Sequence, residues 1–184
     1  MVYLLTFTHR SVYRQGVTTP AGQRILETAS ALFYAHGITA VGVAGIAEAA
    51  GVTKKTLYDC FGSKAALVAA YLQRRHDRWW ADLQDRLETA DSVDTVFDTY
   101  LAHPQFDTAL GCGFQRAAAE LPHDHPGFAV IRAHKQAVRD ELERLTGDPD
   151  RADHVFLLLE GAVARRAVEG TTDALDRARR LATG

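Results

Sequence analysis

The sequence predicts an all-α fold, and three observations carry that prediction. Alanine, leucine, arginine and glutamate dominate the 184 residues, and alternating β-branched runs are absent. Apolar residues recur at helical spacing from Ile25 onward. Pro and Gly sit where helices should stop. Hydrophobic residues make up 47% of the chain, which suits a globular protein with one large core, or a small domain and a larger one.

The elements follow in order. Residues 1–19 lack a clear period and read as a flexible or partly disordered arm. Pro20 suits the first position of a helix, and Ile25, Ala29, Leu32 and Phe33 give that helix one apolar face. Gly37 suits a left-handed cap at its end. Val43, Ile46, Ala47 and Ala50 form the stripe of a second helix, which Gly51 ends. Thr53 caps a third, in which Leu57 and Phe61, four residues apart, face inward while Lys54, Lys55 and Tyr58 face outward. Gly62 ends it, and Ser63 caps a long fourth helix reaching about Leu87. Further helices are predicted near 92–102, 112–121, 126–146, 150–168 and 172–182. The breaks fall at His103-Pro104, Leu121–Pro126, Gly147-Asp148-Pro149 and Gly170.

The stretch from Ile46 to Leu67 has the spacing of a helix-turn-helix, whose second helix enters the major groove of DNA. The net charge of −2 looks unsuited to DNA, but its distribution suits it: residues 1–62 carry +2 and residues 63–184 carry −4. No apolar run approaches the roughly 18 residues of a membrane span, and the N-terminus lacks a signal-peptide core and cleavage site. With two cysteines and no disulfide framework, the expectation is a cytoplasmic protein with no membrane partner.

ILETASALFYAHG from Ile25, followed by IAEAAGVTKKTLYDCFGSKAAL, resembles the DNA-binding domain of the tetracycline-repressor (TetR) family. GCGFQRAAAELPHDHPGF and the helix after it resemble the C-terminal part of one branch of that family. Gly42 departs from the usual Thr or Ser cap of helix two, Ala65 and Ala66 from the usual acid after Ser-Lys, and Cys60 from a common His. The resemblance implies a nine-helix homodimeric transcriptional regulator. Residues 20–62 would bind a palindromic operator in double-stranded DNA, and residues 63–184 would hold an effector pocket and a dimer interface. An unknown small molecule would release a repressor from its operator. It implies DNA contacts from Thr53, Lys54, Lys55, Thr56, Tyr58 and Lys64, with the main-chain N–H of Val43 approaching the DNA backbone. A hydroxyl and N–H at a helix start suit a phosphate, and a lysine reaches either a phosphate or guanine O6/N7.

Trp79 and Trp80 point about 100° apart, so one is core and the other is exposed or lines a cavity. The aromatic residues Phe97, Tyr100, Phe106, Phe114 and Phe156 are chiefly core, and a ligand-gated fold needs some of them as lining. The pocket candidates are Trp80, Phe97, Tyr100, Cys112, Phe114, Arg116, Glu120, His134 and Phe156, which suit a mostly apolar ligand with one hydrogen-bonding group. Small residues along 152–167 allow close helix approach. Val155, Leu158, Leu159, Ala162, Val163, Arg166, Leu175 and Ala178 are the expected dimer interface.

His123-Asp124-His125 lies in a proline-bounded loop where Asp124 suits a turn cap, so neither a metal site nor a cofactor is expected. Cys60 reads as a small half-buried filler rather than a redox switch. Two other readings compete. One is a helical adaptor that has lost DNA binding, which the intact lysines of helix three argue against. The other is a small enzyme. The chain has no nucleophile elbow, phosphate loop or zinc motif to support it.

Overall fold

A computed structural model describes residues 19–102 and 110–183. The predicted arm over 1–18, the His103-Pro104 break and Phe106 lie outside the described residues. Thr19 does not belong to an arm. It caps the first helix, its Oγ1 accepting from the Gly22 N–H at 3.0 Å.

Every described element is a helix: α1 (Pro20–His36), α2 (Val43–Ala49), α3 (Lys54–Phe61), α4 (Lys64–Leu87), α5 (Val93–Ala102), α6 (Gly113–Glu120), α7 (Pro126–Thr146), α8 (Pro149–Glu169) and α9 (Asp173–Thr183). Local chemistry sets the starts. Thr53 Oγ1 accepts from Thr56 N–H and Ser63 Oγ from Ala66 N–H, both at 3.0 Å, satisfying amides that the helices leave unpaired. Asp148 does the same for Asp150 and Arg151 at the head of α8. Gly42 offers α2 no side chain to cap with, as its identity predicts.

α1, α2, α3 and the first turns of α4 pack into a head around Ile25, Leu26, Phe33, Ile46, Leu57 and Leu67. α4 then runs about 36 Å at 1.5 Å per residue into the body. There it packs on α5 and α7; α7 packs on α8, α8 on α9, and α9 back on α5. One continuous core passes through α4 from head to body. Ion pairs mark the body's seams: Arg139 to Asp153 across α7 and α8 at 2.5 Å, and Arg179 to both Asp94 and Asp98 across α9 and α5 at 2.7 Å.

Three further expectations need correction. Gly37 ends α1 at φ 88°, ψ 154°, positive in φ but not a left-handed helical cap. The chain extends there to return Ile38 to the core, where it is 5% exposed. A Cβ at Gly37 would also lie 3.1 Å from Glu120 Oε1. The cap after Pro122 is His125, not Asp124: the His125 Nδ1 accepts from Gly127 N–H at 3.0 Å, while Asp124 is exposed.

The third correction concerns the expected dimer interface. Val155, Leu159, Ala162, Val163, Arg166, Leu175 and Ala178 are buried inside the protomer, where α8 meets its neighbours, and Leu158 is half-buried. The seven buried side chains fill the protomer core, and Leu158 alone of the set keeps part of its surface open. The outward stripe of α8 is instead Leu157, Gly161, Ala164 and Val168, spaced i, i+4, i+7, i+11. Leu157 is 71% exposed, Val168 87%, and Leu181 of α9 58%.

Candidate nucleic-acid interface and its link to the helical body

α3 is an eight-residue helix held by Leu57 and Phe61, which lie in the head core as predicted. That anchoring turns the opposite face to solvent. Thr53, Lys54, Lys55 and Tyr58 are exposed, and Thr56 and Lys64 are half-buried. The first turn of α3 carries no acid, so its outward amides and lysines present a positive surface. The Thr53 and Thr56 hydroxyls lie 2.9 Å apart, so the pair also orders the helix start. Lys55 is not idle. Its Nζ meets Asp59 Oδ2 at 2.7 Å, an i,i+4 pair of two well-exposed side chains, weak enough to exchange for a phosphate. Val43 is half-buried at the start of α2. Cys60 is half-buried with its Sγ 3.9 Å from Thr19 Oγ1, as a filler beside the α1 cap.

The predicted pocket residues divide into two groups. Arg116 and Glu120 lie on the side of α6 that meets the head, in a tight crevice with Phe33, Tyr34, Ile38 and Tyr71. Glu120 Oε2 accepts from the Thr39 N–H at 2.7 Å, clamping α6 to the turn between α1 and α2. Tyr34 Oη donates to the Gly111 carbonyl at 2.8 Å, and the Arg75 guanidinium lies 4.5 Å from the Tyr34 ring centre. A Cβ at Gly113 would sit 2.7 Å from Arg75 Nε, so glycine is what lets α6 start against α4.

The second group is an aromatic cluster inside the body. His134 stacks on Phe114 with centroids 3.9 Å apart, and its edge meets Trp79 at 5.3 Å; Trp79 in turn lies 4.9 Å from Tyr100. Phe97, Tyr100, Cys112, Phe114 and His134 are all buried, with Trp80 and Phe156 half-buried at the margin. As predicted, the two tryptophans part: Trp79 is core and Trp80 reaches the surface.

Burial pushes the His134 imidazole well below its ordinary value, and the neighbouring charges of Lys135, His76 and Arg75 push it the same way. Burial also lowers His76, against a small opposing pull from Asp77. The two rings approach through Nδ1 atoms 3.1 Å apart, so one nitrogen carries the hydrogen and the other accepts it. Two buried atoms of this cluster, Trp79 Nε1 and His134 Nε2, have no hydrogen-bond partner among the described residues. Each such orphan costs about 1–3 kcal/mol. No grouping of three or more metal-ligating side chains occurs among the described residues.

Sequence reasoning missed His76, Tyr34 and Thr39. His76 stood in view, because His76, Trp79, Trp80 and Leu83 repeat at i, i+3, i+4, i+7 on α4. Tyr34 and Thr39 gave no signal, since their partners lie 77 and 81 residues away.

Residues 25–71 match a sequence profile described as bacterial regulatory proteins of the tetR family. The HTH-type transcriptional repressor SCO4008 of Streptomyces coelicolor is 32% identical over 149 residues, covering 79% of this chain and 77% of the relative. The chain belongs to the TetR family. The crystal structure of a TetR-family transcriptional regulator from Streptomyces coelicolor superposes with a TM-score of 0.75 at 26% identity, covering 94% of this chain and 99% of that one. Reduced NemR from Escherichia coli shares the fold at the same TM-score and 19% identity, covering 88% of this chain and 94% of that one. This TetR-family protein is a DNA-binding transcriptional regulator, all-α, with a helix-turn-helix at its N-terminal end. No helix among the described residues is long and apolar enough to cross a membrane.

Proposed function

We propose that this chain is a cytoplasmic homodimeric repressor that reads a palindromic operator with α3 and leaves it when a small effector enters the body. Residues 20–62 are the reading domain, and residues 63–184 bind effector and partner. Thr53, Lys54, Lys55, Thr56, Tyr58 and Lys64 contact DNA. The observation that carries this reading is α3 itself: a short helix pinned by Leu57 and Phe61, with two lysines and a tyrosine standing on its outer face.

Two further features support the device as a whole. The outward stripe of α8 and Leu181 of α9 offer an apolar surface to a second copy, and a palindrome read in successive major grooves needs two heads about 34–36 Å apart. α6 reaches from the aromatic cluster at Phe114 to the head at Glu120, so a ligand that moves Phe114 moves the clamp on Thr39. No catalytic residue is assigned.

A mobility-shift titration with the intergenic DNA upstream of the coding sequence tests the reading. The wild-type chain shifts a palindrome in a salt-dependent manner. A Lys54→Ala, Lys55→Ala double variant that binds equally well would sink the assignment of α3.

A further inference from the structure

Resting on the effector reading above, we propose that the Trp79–His134 cluster takes a small planar aromatic molecule presenting a hydrogen-bond-accepting oxygen, a carboxylate by preference. The Phe114 ring lies flat on His134 with centroids 3.9 Å apart, so one face of the buried imidazole already takes a stacked aromatic ring. On this proposal a planar ligand takes the place of that ring, and the fully buried Phe114 moves aside with α6 to admit it.

The buried, unpartnered nitrogens set the polar half of the match. Trp79 Nε1–H can only donate, so the ligand must bring an acceptor. His134 Nε2 offers a second hydrogen when the His76 Nδ1–H donates across the 3.1 Å contact to His134 Nδ1. Arg75 is buried and acts on both His134 and Tyr100, and this cation inside the cluster favours a carboxylate over a neutral acceptor. Glu160 also acts on Tyr100, but its charge is offset by Lys135 Nζ at 2.6 Å and it accepts from Gln115 as well. His76 and Trp80 are half-buried, with ring centres 5.7 Å apart, and form the side of the cluster open to solvent.

The test uses the full chain and calorimetric titration with three probes: benzoate, benzyl alcohol and toluene. Benzoate is expected to bind at least tenfold more tightly than benzyl alcohol, and toluene most weakly. Trp79→Phe keeps an aromatic ring at the position and removes the N–H, and should weaken benzoate at least tenfold without a matching loss for toluene. His134→Phe, made in parallel, asks the same of the second nitrogen, and circular dichroism checks that both variants fold. Toluene binding as tightly as benzoate, no heat with any probe, or folded variants that keep full benzoate affinity would each overturn the proposal. Operator release is followed separately on the same samples. Release by toluene but not benzoate overturns the ligand class and leaves the effector reading intact. Benzoate bound at the cluster without release supports the class and overturns the effector reading.

Discussion

Leu57 and Lys54 show how adjacent turns of one helix divide two tasks. Leu57 is fully buried, and Leu57→Ala should cost about 2–5 kcal/mol, seen as a lowered melting temperature of the head. The Lys54→Ala, Lys55→Ala change touches nothing in the core, so the melting temperature should hold. Operator affinity should fall, and the slope of log affinity against log salt should lessen by about 0.9 for each phosphate that a lysine no longer neutralises. An unchanged slope would place these lysines away from the phosphates. His134 sets a different dependence. Its folded value lies below the ordinary 6.5, so the folded protein binds fewer protons than the unfolded chain as pH falls past that point. Its share of the stability is therefore complete above pH 6.5 and is lost progressively as pH falls from there toward the folded value. His134→Phe should flatten that acid limb when melting temperature is followed against pH.

At the scale of elements, α6 is the informative one. It begins at Gly113, pressed against Arg75, and ends with Glu120 on the amide of Thr39. Glu120→Ala leaves that amide without its acceptor, a loss of about 1 kcal/mol in the head's docking. Hydrogen exchange at Thr39 should quicken, and effector should release the operator less completely while binding the body as before; undiminished release would show that the clamp carries no signal. The element boundaries were legible because their causes are local: Pro20, Thr53, Ser63 and Gly147 each act within a few residues. His125 against Asp124 shows the limit. Both side chains can accept a cap hydrogen bond, and the register of the loop into Pro126 decides between them. The α6 clamp was illegible for another reason, since its partner is far away in sequence and neither residue stands out alone.

For the whole molecule, the question is which face of α8 stays bare. Periodicity showed an apolar stripe through Val155, Leu159 and Ala162, and a stripe can pack within its own chain or against a copy. The sequence carries a second stripe, Leu157, Gly161, Ala164 and Val168, and only the packing of α7 and α9 reveals that the first is already used. Leu157→Glu together with Val168→Glu should therefore leave the protomer folded and turn a dimer into a monomer in sedimentation. Operator binding should weaken steeply with dilution, because two linked heads bind far more tightly than one. The buried and outward faces of α3 were legible from the helix-turn-helix spacing, whereas His76 became visible only when α7 brought His134 against it.

On the proposed reading, Asp59 bears on how the protein would tell an operator from random sequence. In the unbound chain its carboxylate occupies Lys55 at 2.7 Å, in the manner of a phosphate oxygen. DNA must displace this resident anion before that lysine counts toward affinity. If Tyr58 and Lys54 contact bases as proposed, random sequence, which engages the backbone alone, would gain little from the exchange, whereas an operator would recover it through those contacts. The same carboxylate then repels the backbone of any poorly seated site. On the proposed reading, a single acid one turn along α3 would weaken backbone-only binding by the few tenths of a kcal/mol that such an exposed pair is worth, roughly 0.3–0.5.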